Sequence, residues 1–137
     1  MFVELISRKI LSLVKPRFYS KEAIGLSTLF LTPFFGCILF AYNLNEIGKQ
    51  KLSPFFIIGG ILWSIVFRRL VGEVLQDDLF QLLVSNAVGA SVLGFFLWDK
   101  FFSIYPSYDT RKVWKPLIVF VSICLALLLF QIFAFKK

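Results

Sequence analysis

Four apolar runs organise this chain, at Ala23 to Tyr42, Pro54 to Phe67, Leu79 to Trp98 and Leu117 to Phe135. The first, third and fourth hold 19 or 20 residues with no ionised side chain. At about 1.5 Å of rise per residue, each matches a hydrocarbon core about 30 Å thick and predicts a membrane-spanning helix. The second run gives only about 21 Å of helix before Arg68 and Arg69. It crosses if those arginines snorkel to the interface and Leu52, Leu70 and Val71 lengthen it; otherwise it dips in and returns. An arginine at mid-membrane costs about 2.5 to 3.5 kcal/mol, which favours crossing with Arg68 and Arg69 as interface anchors. The expected fold class is all-α: an integral membrane four-helix bundle with a short second span, its spans near 23–42, 54–71, 79–98 and 117–135.

Residues 1–18 follow a different pattern. Phe2, Val3, Ile6, Ile10, Leu13 and Val14 recur three and four apart, while Glu4, Arg8, Ser12 and Lys15 fall opposite. This predicts a basic amphipathic helix lying in the headgroup layer and ended by Pro16, ahead of a single polytopic domain over 19–137. Local signals refine the spans. Ser20 is a candidate N-cap with Glu22 in the first turn, and Pro33 should kink the first span. Asn43 to Lys51 forms a polar connection with Gly48 as a C-terminal signal, and Ser53-Pro54 reads as a cap followed by proline at the first helical position. Asp77-Asp78 suit the start of the third span, and Lys115-Pro116 and Lys136-Lys137 frame the fourth. Trp98 and Trp114 flank the longest connection and are expected to anchor one interface.

Composition agrees with this reading: 58% hydrophobic residues, 18 Phe and a mean hydropathy of +0.82 lie outside the soluble range. The net charge of +7 comes from residues at the ends of the runs, so the bilayer surface, and no nucleic acid, is the expected partner. Four spans place nine of the fifteen Lys and Arg on the side of both termini, which are therefore expected to be cytoplasmic. Three spans, with the second run not crossing, split the charges the same way. Cys37 and Cys124 sit inside apolar runs as small hydrophobes. Phe35-Gly36-Cys37 faintly resembles a lipoprotein cleavage site, but the run continues past it, as an uncleaved span would.

Histidine is absent, which removes His-based metal sites and the commonest nucleophile pairs and general base. All eight carboxylates lie at span ends or in connections, leaving no buried acid for proton coupling. Asp77, Asp78 and Glu73 near Arg68 and Arg69 read as ordinary helix-end chemistry, since no phosphate cradle accompanies them. No catalytic residue, cofactor or metal is expected. The spans do offer small residues at helical spacing: Thr28, Thr32 and Gly36 on the first, and Asn86, Ala90 and Gly94 on the third, with Ser85 and Gly89 one position aside. These stripes, with Pro33, are expected to pack the first and third helices together or to contact a partner. The amides of Gln81 and Gln131 also require partners in lipid.

Tyr19-Ser20, Ile24, Thr28, Pro33, Asn43 and Gly48-Lys49, with Gln81 and Trp114, resemble a group of small uncharacterised bacterial multi-pass proteins. The resemblance implies a bacterial inner membrane and no activity or cofactor. The expected function is non-enzymatic: intramembrane helix contacts with a membrane protein partner or a second copy, immunity to a membrane-targeted toxin being one form. The alternatives are an oligomeric passive channel or small-solute transporter lined by Thr28, Thr32, Ser85 and Asn86, and a lipid-modifying enzyme using Asp77 and Asp78.

Overall fold

The computed structural model describes residues 1–13, 15–105 and 107–135, without the side chains of Leu11 and Ser12; Val14, Lys136 and Lys137, used above, lie outside the described residues. The described chain is mostly helical, and three of its helices are long and apolar enough to cross a membrane. The N-terminal pattern folds as α1 (Phe2–Leu13), whose described side chains are all exposed, with Glu4 and Arg8 paired at 3.8 Å. After Pro16 comes a two-residue strand, β1 (Arg17–Phe18).

The first apolar run differs from expectation. It is not one kinked span but two helices, α2 (Lys21–Phe30) and α3 (Pro33–Glu46). Ser20 opens α2 as read from the sequence, its Oγ accepting from the Ala23 amide at 3.1 Å. At Leu31 the backbone leaves the helical region, and Thr32 is extended (φ −158°, ψ 153°) and caps α3 through a bond from the Phe35 amide at 3.2 Å. Pro33 then occupies the first turn of α3, where its missing N–H is no loss. A straight helix would separate residues 19 and 43 by about 36 Å. Instead Asn43 is hydrogen-bonded to Tyr19 in both directions, so α2 and α3 form a hairpin whose ends return to the same side. Its legs measure about 15 and 21 Å.

Gly48 (φ +77°) turns the chain into α4 (Ser53–Gly72), which runs antiparallel to α3. Leu52, and not Ser53 as expected, holds its N-cap position, without a side-chain cap, because the Ser53 hydroxyl donates instead to the Ala41 carbonyl at 3.4 Å; Phe40 packs on Phe56 with ring centroids 4.8 Å apart. The short second run is thus extended at its C-terminal end to a 20-residue helix containing Arg68 and Arg69. Asp77 then caps α5 (Asp78–Phe102), its carboxylate accepting from the Leu79 and Phe80 amides. Over Val92–Leu97 the helix widens into a π turn. The chain returns through β2 (Asp109–Thr110), parallel to β1 in the register Arg17 to Asp109, and enters α6 (Trp114–Ala134).

The core lies at the end where the hairpin legs begin and finish. Phe18 is completely buried, ringed by Trp98, Phe102, Tyr105 and Tyr108 at centroid distances of 4.9 to 6.2 Å. The long aromatic connection therefore folds over the core as its lid. α6 behaves oppositely: none of its residues is buried, and Phe120 against Phe35, centroids 4.8 Å apart, is its main ring contact with the body.

Candidate functional site at the hairpin tip

The break between α2 and α3 creates a specific backbone debt. In a continuous helix the Leu29 carbonyl would accept from the amide of residue 33, and Pro33 has none. Asn86, on α5, supplies the missing donor: its Nδ2 lies 3.1 Å from the Leu29 oxygen and 3.5 Å from that of Leu31. The Asn86 side chain is thus a cap for the tip, held by a helix that is distant in sequence.

Close approach at glycines brings the elements together. A Cβ on Gly36 would fall 1.8 Å from Thr28 Oγ1, so only glycine lets the hairpin legs meet there. Thr28 is itself fully buried, its hydroxyl donating to the Ile24 carbonyl at 2.7 Å. On the other side, a Cβ on Gly89 would lie 3.1 Å from Pro33 Cγ, and one on Gly94 would lie 3.9 Å from Gly25 Cα. Gly60 of α4 admits Cys37 of α3 in the same way. Thr28, Thr32, Pro33, Gly36 and Asn86 therefore converge on one locus, while Gly94 lies further along the same α2–α5 contact. Ala90 is half-buried and lines a shallow groove with Gly25, Leu26 and Gly94.

Beneath the tip is a cavity of about 140 Å³, lined by Thr32, Pro33, Ser64, Arg68, Ser85 and Asn86. Asn86 is 3% exposed, and its Oδ1 is buried without a hydrogen-bond partner among the described residues. An unmet acceptor of this kind costs about 1 to 3 kcal/mol unless water or a bound group supplies a donor. Arg68 and Arg69 are both exposed near the end of α4, and Arg68 also borders this cavity. Of the two tryptophans, Trp98 is buried among the rings around Phe18, and Trp114 is 69% exposed at the start of α6.

The acidic cluster is occupied with structure: Asp77 caps α5, and the Gln81 amide donates to the Leu75 carbonyl at the same turn. Among the described residues, no group of three His, Cys, Asp or Glu side chains is placed to hold a metal ion. The cavity presents neutral donors and acceptors beside one guanidinium.

Asn43 and Ser64 were not singled out by the sequence as functional. Asn43 closes the hairpin base and is completely buried; Ser64 reaches the cavity from α4 while donating to the Gly60 carbonyl at 2.9 Å. The repeated cap-then-proline pattern, Thr32-Pro33 like Ser53-Pro54, was the available signal for the break. No protein-family model matches the chain, and no curated protein or solved structure matches it.

Proposed function

We propose that the chain is a three-span integral protein of a bacterial inner membrane that acts without catalysis, by contacts made inside the bilayer with a protein partner. On this reading α4, α5 and α6 cross, α2 and α3 form a re-entrant hairpin, and α1 lies in the interface. Irregular backbone is tolerated at membrane depth where protein buries it and supplies its hydrogen bonds, as Asn86 does at the tip.

Charge supports the orientation. With the hairpin re-entrant, the N-terminal segment, the Lys49–Lys51 turn and the connection after α5 share one side, which carries eleven of the fifteen Lys and Arg. Arg68 and Arg69 lie at the opposite end, and Lys136 and Lys137 follow α6 in sequence. The basic side is cytoplasmic, which places the N-terminus inside and the C-terminus outside. This revises the expectation of two cytoplasmic termini, because a hairpin does not change sides.

The observation that carries the partner reading is α6. Beyond Lys115 it is apolar on every face apart from Ser122 and Gln131, has a mean hydropathy of 2.8 in its most apolar window, and buries no residue against its own chain. Photocrosslinkers at Leu125 and Leu128, used in the native membrane, test it. One recurring protein adduct supports the reading; adducts to lipid alone remove it.

The unpaired Asn86 oxygen favours a second reading, in which the tip cavity binds a small polar solute or ion in transit. It expects flux in liposomes that Asn86→Leu alters. Absence of flux under every imposed gradient eliminates it.

A further inference from the structure

Two pockets at the head of α6 meet. The first, about 670 Å³, is lined by Arg17 of β1, Asp109 and Thr110 of β2, and Arg111, Lys112 and Lys115 just beyond. The second, about 350 Å³, runs between α3 and α6 and is lined by Phe35, Ile38 and Tyr42 on one wall and Val119, Phe120 and Ile123 on the other. A cationic basin therefore adjoins an apolar groove, with Tyr19 and Lys115 common to both walls.

The β1–β2 pairing builds the basin. The Asp109 amide donates to the Pro16 carbonyl at 2.9 Å and the Arg111 amide to that of Phe18 at 2.7 Å, which holds Arg17 opposite Asp109. Arg111 is ion-paired with Glu46. Arg17, Lys112 and Lys115 make no ion pair among the described residues and are exposed, so the basin keeps a positive excess over Asp109. The groove wall from Pro116 to Ile123 extends for about 10 Å of helix.

We infer that this is a phospholipid site: an anionic phosphodiester headgroup sits among Arg17, Lys112 and Lys115, and an acyl chain fills the groove between α3 and α6. Charge selects the polar end, and the adjacency of the two pockets selects a molecule that is anionic at one end and apolar at the other. The chain also fills the underpacked seam that leaves α6 with so little contact to the body. The proposal rests on the membrane insertion proposed above. Release of the chain from vesicles by alkaline carbonate would remove that insertion, whereas unselective lipid binding by a stably inserted chain removes only this site.

The test is native mass spectrometry of the full chain in micelles with equimolar phosphatidylglycerol and phosphatidylcholine. One retained phosphatidylglycerol per chain, preferred at least tenfold, is expected. Joint replacement Arg17→Gln, Lys112→Gln and Lys115→Gln should abolish the preference. Val119→Trp, which fills the groove at an exposed position and leaves the charge intact, should reduce retention comparably. Equal retention of the two lipids overturns the proposal. So does unchanged retention in Val119→Trp, which reduces the effect to surface charge, or full displacement by inorganic phosphate, which makes the free anion the ligand.

Discussion

Asn43 and Tyr19 close a two-bond ring across 24 residues: the Tyr19 amide donates to Asn43 Oδ1 at 2.8 Å, and Asn43 Nδ2 donates to the Tyr19 carbonyl at 2.9 Å. One side chain thus stands in for a strand partner and fixes both ends of the hairpin at one level. Asn43→Leu leaves a buried amide and carbonyl unpaired, at about 1 to 3 kcal/mol for each. Reversible unfolding in mixed micelles should report a loss of about 2 to 6 kcal/mol. Asn43→Asp, which keeps the acceptor but not the donor, should leave the Tyr19 amide protected in hydrogen exchange while shifting the carbon-13 resonance of the Tyr19 carbonyl.

The hairpin itself is tested by topology. Single cysteines at Lys21 and Asn45, in a background lacking Cys37 and Cys124, should label from the same side of sealed vesicles. A cysteine at Asp77 should label from the other. Labelling of positions 21 and 45 from opposite faces would restore a continuous first span.

Gly36→Ala should destabilise the fold by about 1 to 3 kcal/mol, because the new methyl has no space beside Thr28. Gly25→Ala, in the other leg with nothing within 4 Å of the added carbon, should be neutral or stabilising by up to about 1 kcal/mol. Thr28→Ala should partly rescue Gly36→Ala, since it removes the nearest atom. The comparison is a thermal melt of the four variants in one detergent.

Asn86→Asp should be worse than Asn86→Ala despite its closer shape. The carboxylate cannot donate to the Leu29 carbonyl, and at neutral pH it brings a buried charge against it. Lowering the pH toward the carboxylate range should narrow the difference as the aspartate is protonated and regains one donor. Stability curves of the two variants at neutral and acidic pH measure this.

Much of the fold was legible in the pattern of apolar residues. The runs near 54–71, 79–98 and 117–135 correspond to α4, α5 and α6, Ser20 caps the helix it was expected to cap, and Asp77 stands at the helix start where it was expected. Run length misled at 23–42, where two short legs joined at Thr32-Pro33 have the same composition as one span. Hydropathy measures how much apolar surface a segment carries, not whether it doubles back. Of the small-residue stripes, Thr28 and Gly36 meet each other inside the hairpin, and the Asn86 amide, expected to bond across to a neighbouring helix, reaches the Leu29 carbonyl that Pro33 leaves without a donor. Trp98 carried the same sequence signal as Trp114, and it is the packing of Trp98 against Phe18, Phe102 and Tyr108 that separates the buried ring from the exposed one.

The hairpin tip is held at Asn86, eight residues into α5, so the first turns of α5 run on past it. Inserted as proposed, the molecule is a wedge with its broad end in the cytoplasmic leaflet. Such a shape makes its insertion energy depend on curvature, and favours bilayers whose cytoplasmic surface is convex.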